Sequence, residues 1–244
     1  MGQEDIVKEF RMEAFSLLST DPRKAIELLM AAARRYEHSL TVANLVLNDI
    51  IEIAGRRGFW DEAIWACQKA QELKPIHREA YAVQEKVCRL NKAGEHIEAI
   101  EVRMACARKR GDQMALRSCG DKLAQMGEHD RAWRAYNEAA SMAMEQGYHL
   151  PSVRMSMAEL LIKEGKPDAA VEILITGIYE AQKMSGRVPR MVEKDLRKAL
   201  NAAGINLRLK RFRGFADEVI VACKTRGQQY AIELFHERRK KEAS

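Results

Sequence analysis

No window of this 244-residue chain approaches 18 uncharged apolar residues. A bilayer-crossing helix is therefore excluded, and no membrane partner is expected. Cysteine is scarce: Cys67, Cys88, Cys106, Cys119 and Cys223. An odd number at wide spacing is not a disulfide framework, and no two have the C-x-x-C spacing of a closed zinc site. Each stands among apolar neighbours, where a free thiol acts as a small hydrophobe. A reducing, cytoplasmic setting is the expectation that follows. The opening MGQEDIVKEF has no basic flank leading into an apolar core, so it does not read as a secretory signal. Ile6 stands where acylation of Gly2 favours Ser or Thr.

Catalytic signatures are also missing. The histidines are His38, His77, His96, His129, His149 and His236, and none stands four from another, so there is no H-E-x-x-H helix. The chain has no G-x-G-x-x-G, no G-x-x-x-x-G-K-[ST] and no G-x-S-x-G. Asp61-Glu62 is a candidate pair of carboxylates, but the pair opens an apolar-periodic run, where acids favour the helix dipole. The chain is read as non-enzymatic, with no cofactor and no metal.

What the chain does contain is helix. Apolar residues make up 47% and charged residues 31%, enough apolar surface for a sizeable core and too much for a disordered chain. Ala, Leu, Met, Glu, Lys and Arg predominate, and these favour helix. Apolar residues recur at i, i+3, i+4 and i+7 without sustained two-residue alternation. Only five prolines occur, Pro22, Pro75, Pro151, Pro167 and Pro189, and all fall between these runs. Asp21-Pro22 offers a cap oxygen followed by a ring that pre-sets the first helical dihedral. Gly58, Gly94, Gly111, Gly127, Gly165 and Gly227 stand where runs end. The expected fold is all-α, about three quarters helical.

An internal repeat organises the runs. From Gly58, small residues follow at Ala63 and Ala70, before Pro75. The same offsets give Ala99 and Cys106 from Gly94, Ala132 and Ala139 from Gly127, Ala170 and Gly177 from Gly165, and Ala25 and Ala32 from Thr20. Small residues seven apart share one helical face. They permit two helices to cross closely. Successive units begin 38, 36, 33 and 38 residues apart, within the range of stacked helical hairpins.

On these residues the chain resembles the tetratricopeptide repeat family over most of residues 5–231. Residues 58–75 match closely, with Trp60, Ala63, Ala70 and Pro75. Leu116, Gly120, Leu123, Gly127, Tyr136 and Ala139 form a second good match. Residues 6–32 match weakly in their first helix. Residues 190–226 match poorly, and Gly204, Leu207, Ala216 and Cys223 fit only with an insertion. The resemblance implies a single solenoid over 1–244, a right-handed superhelix of about five to six hairpins. Within it, 5–184 is the better-matched part, and 190–244 holds a degenerate repeat and a basic capping helix with Tyr230, Ala231, Leu234 and Phe235 on one side. Two spacers, 145–152 and 183–190, exceed the usual length, and the strongest internal boundary is expected at 185–189.

The resemblance further implies that the first helix of each hairpin lines a concave surface. Candidate partner contacts there are Asn48 and Glu52, Gln84, Arg117 and Asp121, and the column Met155, Glu159 and Lys163 at four-residue spacing. A mixed-charge groove for a protein or peptide is the expected function, that of a scaffold or adaptor. Some family members grip a C-terminal carboxylate with Lys, Asn and Arg. Glu52, Gln84 and Asp121 stand in the corresponding places here, and the acids argue against that ligand. Met142, Met144, Met155 and Met157 cluster around the first spacer and read as gap-filling core more than as partner surface. Homo-oligomerisation is also open, because an open array leaves two ends to be covered.

Charge is uneven. The net charge is +6, yet residues 183–241 carry 16 basic against 6 acidic side chains. Arg190, Lys194, Arg197 and Lys198 share a helical face, and Arg208, Lys210, Arg211 and Arg213 follow. Such a stripe is the footprint of phosphates or of an acidic protein. Phe212 beside it could offer a stacking surface, and the terminal RRKK at 238–241 reads as a solvated helix end. The alternative function is binding of nucleic acid, or of an acidic partner, through this basic third.

Overall fold

A computed structural model describes residues 3–37, 39–147 and 151–243; for residues 3–6, 40–44, 211 and 242–243 it describes the backbone alone. Among the described residues the chain is all-α. Its 13 α-helices are α1 (Gln3–Leu17), α2 (Pro22–Arg35), α3 (Leu40–Arg57), α4 (Trp60–Leu73), α5 (Arg78–Lys92), α6 (His96–Arg110), α7 (Gln113–Gln125), α8 (His129–Glu145), α9 (Pro151–Lys163), α10 (Pro167–Ser185), α11 (Arg190–Ala202), α12 (Phe215–Arg226) and α13 (Gln228–Ala243). None is long and apolar enough to cross a membrane.

The punctuation acts as local chemistry requires. Asp21 Oδ1 accepts from Lys24 N at 3.0 Å, and Pro22 is the first residue of α2. Asp112 caps α7 in the same way through Ala115 N at 2.9 Å. Gly58 closes α3 at φ 78°, a left-handed conformation that costs glycine little. The other five glycines read as stops also have positive φ. The longer spacer at 183–190 is partly absorbed by α10, which runs on to Ser185.

The small residues of the repeat fall in the even-numbered helices α2, α4, α6, α8 and α10. Nine of the ten are buried, and Cys106 is the half-buried exception. In the first unit, α2 packs on α1 and α3, and α4 on α3 and α5. In the second, α7 packs on α8, α9 on α10, and the odd-numbered helices α7, α9 and α11 touch in sequence.

The chain divides into two compact units, Met1–Cys106 and Ala107–Ser244. The division falls within α6. The 185–189 spacer, expected to hold the strongest boundary, lies inside the second unit. Each unit has its own core. In the first, Ile26, Leu29, Leu47 and Ile50 are fully buried with Cys67 and Cys88. In the second, Leu174, Leu196, Phe212, Phe215 and Phe235 are buried together. Each such side chain contributes about 1.5–3 kcal/mol relative to its exposed state.

Three expectations for the C-terminal region are corrected by the structure. Phe212 is 1% exposed and lies in the core of the second unit, so it presents no stacking surface. The ring folds inward to bury its apolar area, while Arg208, Lys210 and Arg213 beside it stay exposed and keep their charges in water. The 238–241 segment is not simply solvated either: Arg239 pairs with Asp168 at 3.3 Å and Arg238 lies over the Phe215 ring at 5.0 Å. With Gln228 donating to Thr176 at 2.8 Å and His236 against Glu172 at 2.9 Å, these contacts turn α13 back onto α10 and α12. Tyr230, expected on the packed side, is instead 38% exposed beside Arg226.

Candidate functional site

The second unit holds an open groove of about 360 Å³. Its walls come from α7, α9 and α11, and Tyr136 of α8 closes part of its floor. Five sequence-predicted residues line it: Arg117 and Asp121 of α7, and Met155, Glu159 and Lys163 of α9. The four-residue spacing accounts for this, because it sets a column of side chains along one face of each helix.

The floor depends on close packing at Gly120. A Cβ built there would lie 2.5 Å from Tyr136 Cε1, so the bare backbone admits the ring. Tyr136 is 2% exposed, and its hydroxyl donates to Asp121 Oδ1 at 2.9 Å. Burial, and then Asp121, push the Tyr136 phenol well above its usual range, so it stays a donor. Arg117 Nη2 stands 3.7 Å from Asp121 Oδ2. Arg117 Nε is buried with no hydrogen-bond partner, the single such side-chain atom among the described residues. Glu159 pairs with Lys163 at 3.0 Å at the exposed lip.

Sequence reasoning missed the far wall. Met191 and Asp195 of α11 line the groove, with Ser152 and Ser156 of α9 and Gln125 of α7. Met191 and Asp195 are also four residues apart. The spacing sets them on one face of α11, beside the cations that dominate the charge of that helix. Of the methionines near the first spacer, Met157 is core and Met155 faces the groove, while Met144 is 59% exposed.

Asn48, Glu52 and Gln84 belong to the first unit. Asn48 Oδ1 accepts from the Tyr81 hydroxyl at 3.1 Å, and that hydroxyl accepts from Lys74 Nζ at 2.8 Å. Glu52 pairs with Arg56 at 2.6 Å, one turn along the same exposed face. Gln84 is half-buried and hydrogen-bonds the Cys88 sulfur. Cys88 also accepts from the Cys67 thiol, which lowers its pKa, while Cys67, buried as the donor, is raised far above the usual thiol range.

The predicted basic stripe is less free than its sequence count. Arg197 is paired with Asp217 at 2.5 Å and Lys198 with Asp195 at 2.7 Å. Arg190 and Lys194 are exposed on α11. Arg208, Lys210 and Arg213 are exposed in the connection between α11 and α12, and the Arg211 side chain lies outside the described residues. Among the described residues no three His, Cys, Asp or Glu side chains are grouped so as to hold a metal ion. No family model, curated protein or solved structure matches the chain.

Proposed function

We propose that the chain is a non-catalytic scaffold of tetratricopeptide-like helical hairpins arranged as a solenoid, and that it binds a protein or peptide segment in the groove of the second unit. The observation that carries this reading is the convergence of Arg117, Asp121, Met155, Glu159 and Lys163 on that groove, opposite Met191 and Asp195. The groove offers adaptable methionine side chains for an apolar anchor and hydrogen-bonding groups for a peptide backbone. Such a pairing of apolar contact with a few polar groups is what segment recognition requires. Four buried thiols and a half-buried fifth accord with a reducing, cytoplasmic setting.

The test is affinity capture from lysate with the full chain and with a Met155→Glu, Glu159→Lys variant, with nuclease and raised salt in parallel. Partners retained by the unaltered chain through both treatments and lost by the variant are expected. Identical partner sets for the two chains would refute the groove. The nucleic-acid alternative rests on the exposed cations from Arg190 to Arg213. It is secondary, because two of the α11 cations are already paired and Phe212 is buried.

A further inference from the structure

The charges inside the groove balance among themselves. Arg117 faces Asp121, Lys163 faces Glu159, and Asp195 holds Lys198. The surplus lies just outside, along α11. At about 100° per residue, Lys198, Lys194 and Arg190 follow one another around the helix, starting from the Met191–Asp195 wall. Glu193, the other acid of α11, falls about 180° from the middle of that wall. Arg190 and Lys194 are exposed and have no acidic side chain within ion-pair distance among the described residues. A segment crossing the groove from α7 to α9 to α11 therefore leaves it over two exposed cations that have no acidic partner among the described residues.

The groove also contributes an apolar seat, formed by half-buried Met155 and by Met191, which is 54% exposed. A phosphate backbone has no apolar group to place there, and the paired charges of the groove leave no surplus cation inside it to hold one. A peptide meets both conditions. We propose that the groove takes an internal peptide segment in which an apolar side chain is followed by a cluster of Asp or Glu. The apolar side chain seats against Met155 and Met191, and the acids lie over the Lys194–Arg190 edge of α11. This inference rests on the peptide-groove reading. It adds the partner's chemistry: exposed rim charges of this kind set association rate and selectivity, and weaken with salt.

The experiment sorts a displayed library of random 12-residue peptides, flanked on both sides so that no free carboxylate is offered, against the full chain at low salt. The expected binders carry an apolar residue next to two or more acids. Their affinity should fall about tenfold on Arg190→Glu with Lys194→Glu, through slower association. The control reversal Lys210→Glu with Arg213→Glu should leave it unchanged. Binders that depend on Met155 and Glu159 but show no acidic bias, or ignore the α11 reversal, would overturn this inference and leave the peptide groove standing. Absence of any binder sensitive to Met155→Glu or Glu159→Lys would overturn both. A single-stranded RNA oligonucleotide that binds through Arg190 and Lys194 with a steep salt slope would assign the edge to nucleic acid instead.

Discussion

Replacing Gly120 by Ala sets two effects of opposite sign against each other. In a helix interior, Ala is favoured over Gly by about 0.5–1 kcal/mol. Here the added methyl would lie 2.5 Å from Tyr136 Cε1 and 2.7 Å from Cδ1. The ring cannot swing aside: it is 2% exposed, and its hydroxyl is tied to Asp121. Over-packing a filled core costs about 1–3 kcal/mol, and a contact this short belongs at the upper end. The overlap therefore wins, with a net loss of about 2 kcal/mol. For a chain of this size that lowers the unfolding midpoint by roughly 4–8 °C. Calorimetry of the full chain reads the shift, and a double-mutant cycle with Tyr136→Leu identifies its cause. With the ring removed, the same Gly120→Ala change is expected to be neutral or stabilising. A Gly120→Ala midpoint at or above that of the unaltered chain refutes the reasoning, as does an equal loss in both backgrounds.

Further predictions concern ion pairs and thiols inside the single units. Glu180→Gln should cost about 3 kcal/mol in urea titrations, because it leaves the 14%-exposed Arg154 guanidinium without its bidentate partner. Glu159→Gln at the exposed lip pair should change stability by no measurable amount, and equal losses would contradict the burial argument. Iodoacetamide at neutral pH should modify half-buried Cys106 before the four buried thiols, as read by peptide mass mapping; faster reaction at Cys67 or Cys223 would contradict the packing. Burial raises the Cys223 thiol from the usual 9.0 to about 11. Above pH 9 the unfolded chain ionises this thiol first, so its contribution is fully present below pH 9 and is lost as pH rises through 11. Unfolding midpoints across that window should fall less steeply in Cys223→Ala, and an unchanged slope would remove this thiol as a cause.

Helix positions were legible in the chain itself, because their determinants are local. A proline ring, a cap oxygen or a left-handed glycine acts within a few residues, and Asp21, Pro22 and Gly58 do in the structure what their chemistry dictates. The buried faces were legible too, since Ala63 with Ala70 and Ala132 with Ala139 recur at an interval that keeps them on one side. One wall of the candidate groove followed from the same spacing, through Arg117, Asp121, Met155, Glu159 and Lys163.

The rest depended on which helices meet. Met191 and Asp195 became groove residues only because α11 packs beside α9. Tyr136 became its floor only because Gly120, 16 positions earlier in the chain, lets the ring in. Phe212 sits in the most basic stretch of the sequence yet is buried, since a local charge count carries no information about the apolar surface waiting on α10 and α12. Pairing of Arg197 with Asp217 and of Lys198 with Asp195 likewise leaves Arg190 and Lys194 as the exposed cations of the α11 part of the stripe. Periodicity specifies which face of a helix is apolar. The partner of that face, and the charges that end up unpaired, are set by contacts between residues far apart in sequence, which only the packed chain determines.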